Sequence, residues 1–403
     1  MKALAIILAS LLSAYAAAGL WAVPSNALPE SGWCRAWFCQ TDAETQHEYQ
    51  EYLRASVQQA PKTLAGFAEI LRRDPASAFR WCDLAEAMVE PGRIESARYA
   101  INRAIELGPH SAPILLRAAN FYFRIDDAAR AVEFGRTILG QIPDYDAILF
   151  SDYDRFEVPV ETVLDKGLPV DRRATRAYLS HLLGSTRLTD SRIVWNWVRA
   201  HHFADDPLAS SYVSFLVSNH AYETAAERWV DYLGSRRGDY PQTNLLFNGD
   251  FESAPTGSLF DWQIGSTDGV RIARDGVSEH SGQYSVHLQF DGTTNVALDQ
   301  VSQSCVLSAG TYTLQYFVKT EGITTNEGVR LRALDPENPG LLNVVTEPAS
   351  GTSDWRRVEA RFTITPRTHL VRVQIVRLPS QKFDNKIAGS AWIDSVRLRR
   401  AGS

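Results

Sequence analysis

The sequence runs to 403 residues, 45% hydrophobic and 22% charged, proportions of a folded globular protein too long for one ordinary core. Its formal net charge is −6, from 41 basic against 47 acidic residues. With no basic excess it lacks the electrostatic footprint of a phosphate-backbone binder, and no nucleic-acid role is expected.

The chain opens MKALAIILASLLSAYAAAGLWAV: Lys2 is a positive start, and residues 3–23 are uncharged and mostly apolar. Ala16-Ala17-Ala18 and Ser25-Asn26-Ala27 place small residues where a signal peptidase would cut. The apolar run is also about long enough to span a bilayer uncleaved. Residues 1–27 are therefore expected to be a signal peptide or an N-terminal membrane anchor. Either reading exports the rest to the periplasm or cell envelope, with the inner membrane as the anchoring surface in the second case.

Residues 28–43 read as a linker in which Cys34 and Cys39 either close a small disulfide loop or stand as buried thiols among Trp33, Trp37 and Phe38. Cys82 and Cys305 lie in apolar helix and strand patterns and read as core.

Residues 44–234 read as helical. Pro75, Pro109 and Pro143 follow one another at intervals of 34 residues, each just past a helical pattern. Between them fall Trp81, Leu84, Ala85, Met88, Gly92, Ala97, Ile101 and Ala104, then Leu115, Ala118, Ala119, Tyr122 and Ala131. This spacing resembles the tetratricopeptide repeat family over two full units and one partial one. The resemblance implies a helical solenoid that docks protein partners. After Pro143 the pattern weakens, and helical runs return at 172–187, 189–203, 207–219 and 221–234. In the last region His201-His202-Phe203-Ala204-Asp205-Asp206 reads as a helix end followed by the next helix's cap rather than as a metal site.

Residues 235–243 read as a linker, and from Asn244 the composition turns to Gly, Thr, Ser and alternating apolar residues. Ser285–Phe290, Thr311–Val318, Gly328–Leu334, Val358–Ile364 and Leu370–Leu378 alternate as half-buried strands. The fold class is thus multidomain α + β: an N-terminal helical solenoid followed by a C-terminal antiparallel β-sandwich of jelly-roll type.

The order of short motifs narrows the sandwich further. Asn248-Gly249-Asp250-Phe251-Glu252 is followed by Asp261-Trp262, by His280-Ser281-Gly282-Gln283-Tyr284, by Ala309-Gly310-Thr311-Tyr312, and finally by Trp392-Ile393-Asp394-Ser395-Val396. Over nearly all of 244–403 this resembles the carbohydrate-binding modules of the galactose-binding-like jelly-roll superfamily. The resemblance implies a structural calcium with Glu252 and Asp394 as side-chain ligands and carbonyls from Asp250 and the turn starting at Glu279. The donor chemistry is that of a hard, oxygen-seeking ion. Trp262 and Trp392 take motif positions that pack the core. For glycan recognition the alternation offers His287, Gln289, Gln300, Gln315, Phe317, Arg330, Arg332, Arg372 and Gln374 on a polar face, with Phe317 as the stacking surface.

No nucleophile elbow, glycine-rich phosphate loop or zinc signature is present, so a non-catalytic protein is expected. The expectation is an exported scaffold that docks protein partners through its helices and binds polysaccharide through its sandwich, in bacterial exopolysaccharide or envelope-glycan assembly or export. A purely protein-binding envelope adaptor and a glycan-active enzyme stay open as alternatives.

Overall fold

The computed structural model describes residues 63–383 and 385–402. The expected leader or anchor, the Cys34–Cys39 pair and the start of the helical region lie outside the described residues. Among the described residues, no helix is long and apolar enough to cross a membrane. The architecture is α + β as expected, helices first and then two antiparallel sheets. The chain divides into two compact units, one ending at Ala174 and the other beginning at Thr175.

In the first unit α1 (Leu64–Arg73) is capped by Thr63, whose hydroxyl accepts from the Gly66 amide at 3.2 Å. Helices α2 (Ala78–Val89) and α3 (Ile94–Leu107) form one hairpin, and α4 (Ala112–Arg124) and α5 (Ala128–Leu139) the next. Equivalent helices start 34 residues apart, so the proline spacing is a period of structure. Ala85, Ala97 and Ala104 are fully buried at the helix contacts, where larger side chains would hold the axes apart. Arg117 on α4 ties the hairpins together by donating to Glu86 and Asp83 of α2, both at 2.8 Å. Such partly buried, charge-assisted bonds are stronger than exposed ion pairs.

Where the apolar pattern fades, the chain still coils: α6 (Asp146–Arg155) is followed by a short helix, Val160–Thr162, running into a π turn at Val163–Gly167. Gly135 permits this packing, because a Cβ there would lie 2.1 Å from the Tyr153 hydroxyl. Cys82 is buried, and its burial pushes the thiol up to about 12, leaving it an inert core group.

The second unit carries helices α8 (Leu188–Ala200), α9 (Asp206–Ser218) and α10 (Tyr222–Leu233), after α7 (Arg172–Gly184), which starts just ahead of it. Asp205 caps α9 by accepting from the Leu208 amide at 3.1 Å, and Asp206 pairs with Arg236 at 2.8 Å. The His-Asp stretch is therefore a helix end and a cap, with His201 stacked on Trp197. Trp229 on α10 meets Phe247 edge to face at 6.0 Å. Tyr222 stacks on His369 and donates to Glu337 at 2.5 Å. The expected linker at 235–243 holds a 3-10 turn (Gly234–Arg237) and a buried Tyr240.

The sandwich comprises β1 (Gln263–Ile264), β2 (Val270–Asp275), β3 (Ser285–Asp291), β4 (Leu298–Val306), β5 (Gly310–Ile323), β6 (Arg330–Leu334), β7 (Asn343–Val345), β8 (Gly351–Ile364), β9 (Leu370–Arg377) and β10 (Ala388–Arg400). The first sheet has the order β1-β4-β9-β6-β7 and the second β2-β3-β10-β5-β8. Between them lies one core with Val286, Leu288, Tyr316, Val318, Val373 and Ile375 at its centre. Burial pushes the Cys305 thiol there up to about 12 as well. The segment that opens the sandwich lies along its last strand: Leu245 donates to Leu398 at 2.9 Å and Val396 to Gly249 at 2.7 Å. Gly249 must be glycine, since a Cβ would fall 2.1 Å from the Val396 carbonyl oxygen.

Candidate functional site

The nine residues expected on one polar face occupy two. His287, Gln289, Gln315 and Phe317 lie on β3 and β5 of the second sheet. Gln300, Arg330, Arg332, Arg372 and Gln374 lie on β4, β6 and β9 of the first. Alternation separates inward from outward correctly, but a sandwich has two outer faces. Which strand joins which sheet is set by ladders between residues far apart in sequence.

On the second sheet the aromatic rings are already engaged with one another. The His280 ring covers Phe317, with centroids 3.5 Å apart and planes 15° apart. Two residues of β8, Asp354 and Trp355, stand opposite Lys319 alone, because Val318 pairs with Arg356 and Thr320 with Ser353. This bulge turns Trp355 edge-on to His280 at 5.8 Å. Trp392, expected in the core, is buried on the outer face instead, opposite His287 and Lys319. His287 stacks on it at 4.6 Å and Lys319 lies 5.6 Å from its centre. Burial lowers the His287 pKa, against the neighbouring Asp275 carboxylate that raises it. Trp262, by contrast, is a core residue as expected, its indole donating to the Asn248 carbonyl at 3.0 Å.

Glu252 and Asp394 meet on one turn. Glu252 accepts from the Gln283 and Tyr284 amides at 2.8 and 3.0 Å. Asp394 accepts from His280 and Ser281 at 2.8 and 2.9 Å and from Ser395 at 2.5 Å. Burial pushes the Asp394 carboxyl above the usual carboxylate range, although the three amides favour its charged form. Asp250 and Glu279 are exposed, and among the described residues no cluster of three His, Cys, Asp or Glu side chains is present. A calcium ion takes six to eight oxygens. The amides engage Glu252 Oε1 and both Asp394 oxygens, whereas Glu252 Oε2 accepts no hydrogen bond among the described residues. Two carboxylates with main-chain carbonyls beside them are the donor chemistry of that ion, and Glu252 and Asp394 are the side chains that would hold it.

Beside the clamp, His280 Nδ1 lies 3.2 Å from Ser395 Oγ, which lies 2.8 Å from Ser281 Oγ. Sequence reading missed this cluster because its members come from both ends of the domain. Asp394 holds the His280 backbone rather than its ring, so the group lacks the acid–imidazole bond of a hydrolytic triad.

The outer face of the first sheet is built differently. One row crosses all five strands in register: Gln263, Ser302, Gln374, Arg332 and Val345. The Arg332 guanidinium donates twice to the Gln374 side-chain oxygen, at 3.0 and 2.6 Å. The Gln374 amide in turn donates to the Asp299 carbonyl at 3.0 Å. Asp299 and Gln300 form a bulge opposite Val376, since Leu298 pairs with Arg377 and Val301 with Ile375. The bulge brings the Asp299 carboxylate to 3.7 Å from Arg332. Gln374 is thereby used up in holding Arg332, which keeps spare N–H groups, as does Gln300, whose side-chain oxygen accepts from Asp299. In the next row Arg372 stands between Ser304 and Leu334. Arg330 is held by Glu327. The strands of this face carry no aromatic residue on it.

No family model matches the chain, and no curated protein matches it. Among solved structures it is similar to the xylan-binding domain CBM22-1 from Paenibacillus barcinonensis, at 11% identity and a TM-score of 0.27, covering 38% of this chain and 93% of that one. A family 16 carbohydrate-binding module is similar at 18% identity and a TM-score of 0.27, covering 39% of this chain and 100% of that one. The enzymatically active domain of bacteriophage CBA120 tailspike protein 4 gives 16% and 0.30, with 39% of this chain matched to only 21% of the tailspike. At such scores these likenesses say nothing about ligand or activity.

Proposed function

We propose that the chain is an exported, non-catalytic scaffold whose sandwich binds polysaccharide on the outer face of the first sheet. Its tetratricopeptide-like helical hairpins dock a protein partner, placing the molecule in bacterial envelope-glycan assembly or export. The observation that carries the glycan reading is the Arg332–Gln374–Asp299–Gln300 network. Sugar hydroxyls are recognised by planar polar groups held in fixed orientation, because little side-chain entropy is then lost on binding. Gln374 is 6% exposed and serves that purpose: it holds the half-buried Arg332 in place. The second sheet supports the reading less well, since its rings face one another.

The test is affinity electrophoresis of the purified chain through gels cast with different polysaccharides. Retardation by at least one glycan, reduced about tenfold in affinity by Arg332→Leu, is expected, because a charged donor's hydrogen bonds contribute about 1.5–3 kcal/mol. Migration unchanged in every gel, from protein with normal melting, would transfer the reading to a protein-docking adaptor. Shortening of a glycan by the protein over time would replace it with an enzyme.

A further inference from the structure

Resting on the glycan reading of the same face, we infer that the polysaccharide is anionic and that an acidic substituent of the sugar, a carboxylate or a sulfate, sits on Arg372. Arg372 is half-buried on β9 with Ser304 on one side and Leu334 on the other. Among the described residues it makes no hydrogen bond or ion pair. The neighbouring arginines differ: Arg330 is held by Glu327, and Arg332 by Gln374 with Asp299 nearby. A guanidinium that is partly desolvated and faces no anion of its own has lost hydration without compensation. A planar anionic group restores it through paired N–H bonds.

Two further observations point the same way. The strands of this face present no aromatic ring on which a neutral sugar could stack, so charge and hydrogen bonds must supply the recognition. Arg372 lies one residue pair along β9 from Gln374, within the reach of one sugar unit from the fixed Arg332 guanidinium.

The experiment uses the full chain and four probes: polygalacturonate, its fully methyl-esterified form, dextran and dextran sulfate. Affinity is read by gel retardation at low and at physiological salt. The expected result is retardation by polygalacturonate or by dextran sulfate, the two arms separating carboxylate from sulfate. The uncharged ester and dextran should bind at least about tenfold more weakly. Raising the salt should weaken binding. Arg372→Gln should lose about tenfold affinity, Arg372→Lys should retain part of it, and Arg361→Gln, on the outer edge strand of the second sheet, should change nothing. Melting curves confirm that each variant is folded. Equal binding of the acid and its ester, or an unchanged Arg372→Gln, overturns the anionic assignment while leaving glycan binding intact. Failure of all four probes overturns both.

Discussion

Arg377 is the most consequential buried charge in the sandwich, and its replacement tests the packing of one whole end of it. The side chain is 1% exposed. It donates to the carbonyls of Glu327 at 3.0 Å, Val296 at 2.6 Å and Asn385 at 3.1 Å, and to the Asn295 side chain at 2.5 Å. Among the described residues it forms no ion pair, and burial lowers its pKa, as expected for a cation removed from water. In Arg377→Met three main-chain carbonyls lose their donors, at roughly 1–3 kcal/mol each. The guanidinium's own burial penalty, several kcal/mol, disappears with it. The net loss should be about 3 kcal/mol, or roughly 6–12 °C in melting temperature for a unit of this size. Urea unfolding followed by tryptophan fluorescence measures it. A loss below about 1 kcal/mol would refute the view that this guanidinium organises the loops around residues 295, 327 and 385.

The clamp on the turn 280–284 makes a second prediction. Gly282 has φ +76°, and a Cβ there would sit 2.2 Å from the Glu252 carboxylate, so Gly282→Ala should cost about 2 kcal/mol. An unchanged melting temperature would show that the clamp is loose. The expected calcium site at Glu252 and Asp394 predicts that a chelator lowers the melting temperature and that calcium restores it; an unchanged melting temperature would remove the ion from this site. His287 predicts a pH dependence. Its folded pKa is lowered by burial, so the unfolded chain binds its proton more readily, and stability is lost as pH falls below about 6.5. Urea midpoints at about pH 7.5 and about pH 5 should converge in His287→Gln. A wild-type stability that rises on acidification through this window would contradict the assignment.

Much of the fold was legible because its signals are local. The prolines at 75, 109 and 143 mark hairpins that do repeat, and Ala85, Ala97 and Ala104 sit buried where small residues were expected. Strand alternation located the core residues Val286 and Leu288 correctly. The motif order pointed to Glu252 and Asp394 as neighbours that close the domain, and they grip the same turn. The candidate site was less legible. A period of two tells inside from outside but does not say which outside, so His287 and Gln374 were grouped although they lie on different sheets. Bulges erase the period where they occur, which hid the approach of Asp299 to Arg332 and of Trp355 to His280. Phe317 reads as an open stacking ring until the 280–284 turn folds His280 over it.

The packing of α10 on the sandwich decides where this protein can be divided. Trp229 and Phe247 share one apolar contact, and Tyr222 reaches Glu337 and His369 from the helix side. Cutting at the change of composition near Asn244 would strip a side wall from the sandwich and leave aromatic surface bare. A recombination event, or an experimenter, that moves this sandwich to another protein must carry the last helices along. The transferable part is a sandwich with its own helical buttress, so the boundary written in residue types is not the boundary written in contacts.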